Sequence, residues 1–509
     1  MRTKVFLILI SLSYISSAQP EITGTVFLDK NQNGLYDSGE KAFKNLYISN
    51  GRDFVQTDKK GKYSIDKLDE RYVFAVKPSD YQFAIDKHFQ AKFYHTEGET
   101  FNIPVYPSKN ESKYSMVLMG DPQVYAQDQI NYLGEVATDE LLDANYEFAV
   151  VLGDLVGNTL PLIPTVKETL GLTKKPNYFV LGNHDRDRGN FDDATKSDND
   201  SYEKDLGPDY YSFNWGEAHF LVLNDVLTYQ NRNEKGSDYI PGIHETQIKF
   251  IENDLKTVSS DKLIVVCAHI PFFFGDKKDA TTKRMLDLLS NHKNVFMATG
   301  HAHNQLQLFF DEDEGWNNPQ PVHQLVAGAI CGNWWRGEYD MFGIPGSMMR
   351  DGTPRGYWFM HINGNEYQLE YKASGMDKSK QMHIWVPQYF EMFDTLSNSD
   401  PEIKDIWINV YAGNEFTDVK MRIDGGGWKT AERQEEFDPY ILRLLNRQEM
   451  GITPTDGSRE LKEEPRASTH LWHGLIPNGL EKGAHMLEVT TKNKYGLNAK
   501  ANRVFWIKK

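Results

Sequence analysis

The chain has 509 residues, 39% of them hydrophobic and 13% aromatic, which is enough for roughly two to four packed domains and too apolar for an unstructured polypeptide. Its formal net charge of -16 argues against a nonspecific binder of long nucleic acid and against a protein held on an anionic membrane surface. An anionic substrate stays open, because bound cations reverse the field locally.

The chain opens with MRTKVFLILISLSYISSAQP. Arg2 and Lys4 precede a short apolar run, Val5 to Ile15, and then the small residues Ser16-Ser17-Ala18. The run is too short to span a bilayer comfortably, and the order is that of a secretory leader. Residues 1–18 are therefore expected to be a signal peptide, and the mature protein to be periplasmic or secreted with no membrane span.

Residues 19–108 read as a small β-sandwich domain: ITGTVFLD, KNLYIS and KYSIDKL are strand-like, with Gly, Asn and Asp turns between them. Within it, DKNQNGLYDSGE fits D-x-[DN]-x-[DN]-G-x5-E at every defined position. Asp29, Asn31, Asn33, Asp37 and Glu40 would give side-chain oxygens to a calcium ion, Leu35 its carbonyl, and Gly34 the sharp turn. The flanks read as strands, so the loop is no EF-hand. It is similar to calcium loops of bacterial surface β-sandwich repeats. An asparagine-rich turn that imitates the pattern is the alternative.

From 109 to 375 apolar runs alternate with amphipathic stretches, the signature of a layered α/β domain. HETQIKFIENDL puts Ile248, Ile251 and Leu255 on one helical face, and TTKRMLDLLSNH does the same with Met285, Leu288 and Leu289. The apolar runs end alike. YSMVLMGDPQ ends in Asp121 and Gln123, EFAVVLGDLVGN in Asp154 and Asn158, and NYFVLGNHD in Asn183, His184 and Asp185. KLIVVCAHIP ends in His269, and NVFMATGHAHNQ in His301 and His303. Ligands in layered α/β folds gather at the carboxyl ends of strands, so these residues can converge. One Gly-Asp or one histidine at a strand end is ordinary. The series, with oxygen and imidazole donors and no thiolate, suits Mn, Fe, Zn or Mg.

The loops after these strands are candidates for substrate contacts. In AGAICGNWWRGEYDMFGIPGSMMRDGTPRGYW, Arg336 and Arg355 suit a phosphate oxygen, and Trp334 suits a sugar or base face. A packed loop with its arginine in an ordinary ion pair is the alternative, and packing is the expected role of Trp335. Cys267 and Cys331 sit in apolar runs and read as buried thiols, with pairing the alternative in an oxidising compartment. Residues 376–509 read as a β-rich domain built from DIWINVYAGN, DVKMRIDGG, HMLEVTTKNKYG and NRVFWIKK. His470 and His473 there, and His219, His323 and His361 before it, read as packing residues.

The ordered series Asp121-x-Gln123, Gly153-Asp154-(x)3-Asn158, Gly182-Asn183-His184-Asp185, His269 and Gly300-His301-x-His303 resembles the calcineurin-like metallophosphoesterases. The β-rich flanks look like the Ig-like modules of an exported branch of that family. The resemblance implies a layered αββα sandwich flanked by two small all-β domains. It also implies a site with two divalent metal ions. Asp154 would bridge them. Asp121, Gln123 and His303 would complete one shell, and Asn183, His269 and His301 the other. A bridging hydroxide would attack the phosphate mono- or diester of a phosphorylated small molecule or glycan. His184 would protonate the leaving oxygen or hold a phosphate oxygen, and Asp185 would either orient His184 or serve only as a loop carboxylate. Gln123 stands where the family more often has histidine. Two rival readings are a glycan- or protein-binding surface protein on a degenerate scaffold, and a pyrophosphate-bond hydrolase.

Overall fold

The computed structural model describes residues 20–68, 72–95, 98–108, 111–187, 198–228, 239–273, 280–386, 404–452, 460–462 and 464–507. The expected signal peptide lies outside the described residues, as do residues 188–197 after His184.

Two sheets form the centre of the molecule. In one, the strands Asn177–Phe179, Ala149–Val151, Lys113–Met119, Gly356–Asn363 and Glu366–Ala373 lie side by side in that order. The first three run parallel, with Val117 opposite Ala149 and Val150 opposite Tyr178. In the other, the order is Tyr211–Trp215, Ala218–Val222, Leu263–Cys267, Asn294–Thr299, Val322–Ala327 and Gln305–Phe310. Ala218–Val222, Leu263–Cys267, Asn294–Thr299 and Val322–Ala327 are parallel there. Aromatic side chains join the two sheets: Tyr178 stacks on Phe213 at 3.9 Å, and Phe148 meets Trp215 at 4.5 Å. Large rings suit this interface because each removes much apolar surface from water.

Helices connect the parallel neighbours. Ile163–Gly171 lies between Ala149–Val151 and Asn177–Phe179, and Ala280–Leu289 lies between Leu263–Cys267 and Asn294–Thr299. The predicted helix around Ile248 spans Glu245–Leu255 and buries Ile248, Phe250, Ile251 and Leu255. In Ala280–Leu289 the buried set includes Met285, Leu286 and Leu289, so Leu286 rather than the expected Leu288 faces fully inward. Three neighbouring strands of the first sheet and four of the second therefore each share one direction. Their carboxyl ends, where the polar residues follow, are brought to one edge of the molecule.

Five- and four-stranded sheets precede this centre, and two four-stranded sheets follow it. The last unit also holds a helix, Pro439–Glu449, which the sequence reading passed over. Asp438 caps it by accepting from the Tyr440 amide, with proline at the first turn. Cys267 and Cys331 are both buried and free. His470 Nε2 lies 3.2 Å from Asp351 Oδ2, and Asn409 Nδ2 donates to the Asp351 carbonyl at 3.2 Å, so the last unit is pinned to the loop before Gly356–Asn363. Among the described residues no helix is long and apolar enough to cross a membrane.

Lys77 fastens the first unit to the centre. It is 3% exposed, its Nζ donates to the Asn214 carbonyl at 3.0 Å, and it sits 4.3 Å from the Trp215 ring. Burial pulls its ammonium from 10.5 to about 7, against a small opposing pull from Asp80. Between these two values the unfolded chain binds the proton and the folded chain does not, so stability rises with pH across that window. The wild type is expected to gain roughly 1–3 kcal/mol from pH 7 to 10 relative to Lys77→Met, read from melting curves of both proteins. Parallel curves would refute it.

Candidate metal centre and active site

Each candidate ligand follows a strand at a sharp turn. Asp121, Gln123, Asp154, His301 and His303 all have φ between 36° and 70°, a region that costs side-chain-bearing residues of order 1–3 kcal/mol each. The glycines before them permit close approach. A Cβ on Gly153 would stand 2.5 Å from His269 Nδ1, and one on Gly300 would stand 2.6 Å from Asp121 Oδ2.

The residues meet. Asp154, Asn183, His269, His303, Asp121 and Gln123 are buried, and His301 is half-buried. Ligand atoms of Asp154, His269 and His301 all lie within 4.8 Å of one another. His269 Nε2 stands 3.3 Å from Asp154 Oδ2, 3.0 Å from Asn183 Oδ1 and 3.2 Å from His301 Nδ1. On the other side His303 Nε2 lies 4.0 Å from Asp121 Oδ1. The far nitrogens are already taken: His269 Nδ1 faces the Leu152 carbonyl and His303 Nδ1 the Gly332 carbonyl, both at 2.8 Å. A carbonyl on one ring nitrogen fixes the tautomer and leaves the other for a cation. Gln123 Oε1 is buried with no hydrogen-bond partner, an acceptor aligned with nothing in the protein. Facing lone pairs, an orphaned amide oxygen and a shared carboxylate make a donor set that fits divalent cations.

The electrostatics agree. Burial pushes Asp121 up, whereas on Asp154 the burial effect is overcome by His269 and His184, which hold it below the usual carboxylate range. Burial lowers His303 to about 4 and His301 to about 3, so both are neutral imidazoles, the form that binds metal. His269 reaches about 10: burial opposes its charge, but the Asp154, Asp121 and Asp225 carboxylates win. A cation would replace that proton.

The Asp154 carboxylate also accepts the His184 amide at 2.8 Å, and its carbonyl accepts the Gln123 amide at 2.7 Å. His184 Nδ1 lies 2.8 Å from Asn158 Oδ1. The Asp185 carboxylate accepts from the Val156 and Gly182 amides at 3.1 and 3.0 Å. Of its two sequence readings, these contacts are those of the loop carboxylate. Burial, reinforced by Asp154, raises it to about 8.

A cavity of about 280 Å³ opens over these groups, lined among others by Gln123, Asp154, His184, Trp334, Arg350 and Arg466. Trp334 belongs there, stacked on the His303 ring at 4.0 Å. Arg336 and Arg355 do not line the cavity, which corrects the sequence expectation. Positive φ at Trp334 and Trp335 turns the chain, and Arg336 reaches the Glu460 carbonyl instead. Arg355 is buried under Trp335 and donates to the Pro345 carbonyl. The arginines at the cavity are Arg350 and Arg466, joined by a 2.9 Å bond from the Arg466 amide to the Arg350 carbonyl. Sequence reading missed both. Another missed residue is Asp225, whose carboxylate accepts the His269 and Ile270 amides and so holds the His269 turn.

Gln123→His is expected to tighten metal binding about tenfold, since imidazole is the better donor for Zn or Fe, measured by metal retained after dialysis against chelator. Unchanged metal content and activity would remove Gln123 from the ligand set.

Comparison with known proteins bears on this site. Residues 114–305 match the family model described as calcineurin-like phosphoesterase. Residues 30–103 and 324–498 match the models for the N terminal and the C terminal of calcineurin-like phosphoesterase. No curated protein matches the chain. Among solved structures it is similar to a dimetal phosphatase from Danio rerio at 14% identity, covering 51% of this chain and 96% of that one, with a TM-score of 0.36. It is also similar to a purple acid phosphatase from yellow lupin (Lupinus luteus) at 13% identity, covering 65% and 67%, with a TM-score of 0.37. With its three matched segments in the family's own order around the residues just described, the chain belongs to the calcineurin-like phosphoesterases.

Proposed function

We propose that the protein is an exported phosphoesterase that holds two divalent cations and hydrolyses phosphate mono- or diesters of small molecules or glycans. The observation that carries this is the convergence of Asp121, Gln123, Asp154, Asn183, His269, His301 and His303, with the orphaned Gln123 oxygen among them. Asp154 would be shared between them, with Asp121, Gln123 and His303 available to hold one cation and Asn183, His269 and His301 the other. Two such ions supply an acidified water and neutralise charge on the phosphoryl oxygens.

The chain's own groups do the rest. His184 lines the cavity with its Nδ1 on Asn158, so Nε2 is the atom that hands a proton to the leaving oxygen. Arg350 and Arg466 offer donors to phosphate oxygens, and Trp334, held between the His303 ring and the Lys462 ammonium, walls the cavity beside them. The leader-like first residues support export.

The test is turnover of p-nitrophenyl phosphate and bis-p-nitrophenyl phosphate by the mature chain with Mn, Zn, Fe or Mg, before and after chelation. Metal-dependent turnover is expected. None in any metal would overturn the reading. Release of nucleoside monophosphate from nucleotide sugars, with both esters untouched, would favour cleavage of a pyrophosphate bond.

A further inference from the structure

The loop between the first two strands plays no part in the catalytic cavity, yet it is built from oxygen donors. It joins Glu21–Leu28 to Lys41–Ala42, which pair antiparallel with Phe27 opposite Ala42 and Leu28 opposite Lys41. That pairing brings the two ends of a twelve-residue loop, Asp29 and Glu40, to neighbouring places. The side chains turn inward on the loop. Asp29 Oδ2 accepts the Gly34 amide at 2.7 Å, and Gly34 has φ 80°, the turn that the sequence pattern requires. Glu40 Oε1 accepts the Lys30 amide at 2.8 Å, and its Oε2 accepts the Asp37 amide at 3.0 Å. Asn31 and Asn33 both direct their amides onto Asp37 Oδ2, at 2.9 and 2.8 Å. The side chains at the first, third, fifth, ninth and twelfth positions are thus tied to this one loop.

A second observation points to a ligand. Asp29 is 1% exposed, and its Oδ1 has no hydrogen-bond partner. A buried anionic oxygen without a donor is costly, and a cation is the partner that removes the cost. Three carboxylates, two carboxamides and one main-chain carbonyl, spaced over twelve residues, match the flexible oxygen shell of calcium better than the tight octahedron of magnesium.

We propose that Asp29–Glu40 is a calcium site that clamps the first β-hairpin. The ion sits against Asp29 Oδ1, with Asp37 and the two oxygens of Glu40 around it, the Leu35 carbonyl as a further ligand, and the Asn31 and Asn33 amides turned to present oxygen. Because Asp29 donates its amide to the Val105 carbonyl at 3.1 Å, the ion also braces the neighbouring strand Ile103–Pro107.

Tyr36 supplies a direct readout. It lies inside the loop, stacked on Phe27 at 4.9 Å, where it can sensitise luminescence from Tb3+ bound in calcium's place. The experiment uses the whole mature chain with its catalytic cavity first saturated with Mn2+. The wild type is expected to bind one Ca2+ with a Kd on the order of 10⁻⁴ M or tighter, and to melt a few degrees higher when it does. Tyrosine-excited Tb3+ emission is expected to appear and to be displaced by Ca2+. Glu40→Gln is expected to weaken Ca2+ by more than about tenfold and to abolish the melting shift, with Mn2+ content unchanged. Tyr36→Phe is expected to lose the emission and keep the Ca2+-dependent shift, which serves as the test should Glu40→Gln fail to fold. Equal Ca2+ affinity in Glu40→Gln, emission that survives Tyr36→Phe, or no Ca2+ binding at millimolar concentration would overturn the proposal.

Discussion

Asp154→Ala is expected to lower phosphate-ester hydrolysis by about 10³-fold or more and to reduce bound metal. The residue does three things at once. Its Oδ2 is the anion nearest His269 Nε2, at 3.3 Å. Its Oδ1 holds the His184 amide at 2.8 Å. Its backbone, at φ 48°, presents the carbonyl that accepts the Gln123 amide. Alanine removes the charge shared by both halves of the centre and loosens the proton donor as well. Asp154→Asn keeps an oxygen for the His184 amide but loses the charge. It should therefore retain the fold and His184 placement while still losing metal. Metal analysis, circular dichroism and turnover on the same preparations separate these effects. Wild-type metal content in both variants would disprove the shared-ligand role.

His184→Ala is expected to act differently, cutting kcat by about 10²–10⁴-fold with metal content and KM little changed. The loss should depend on the leaving group. An alkoxide needs a proton as it departs and p-nitrophenolate scarcely does, so an alkyl phosphate should suffer far more. Asn158→Ala removes the acceptor on Nδ1 and should give a smaller fall, with the alkaline limb of the pH–rate profile displaced to lower pH. Equal losses on alkyl and nitrophenyl esters would remove His184 from the proton-donor role.

The candidate ligands were legible in the sequence because each is announced locally. An apolar strand, a glycine and then an oxygen or imidazole donor recur, and parallel strands in two facing sheets carry such ends to one edge. Gln123 was legible in the same way, and its unpartnered oxygen is consistent with the ligand reading. The arginines at the cavity were not. Arg336 follows two tryptophans beside the site, but positive φ at both turns it toward Glu460. Arg466 reaches the cavity only because the last unit docks on the loop around Asp351, a contact between distant segments that no spacing rule encodes. The helix Pro439–Glu449 carried its signal in plain view, an aspartate cap followed by proline, and was lost against the β pattern around it. Asp225 was missed because it acts through main-chain amides, and such acceptors leave no residue pattern.

The recruitment of Arg466 also orders events in time. A growing chain possesses every candidate ligand once His303 has emerged, whereas the cavity wall is still short of one arginine for more than a hundred and fifty further residues. The candidate ligand set is thus synthesised well before the cavity rim is complete, and the last β-unit is where assembly of this centre ends.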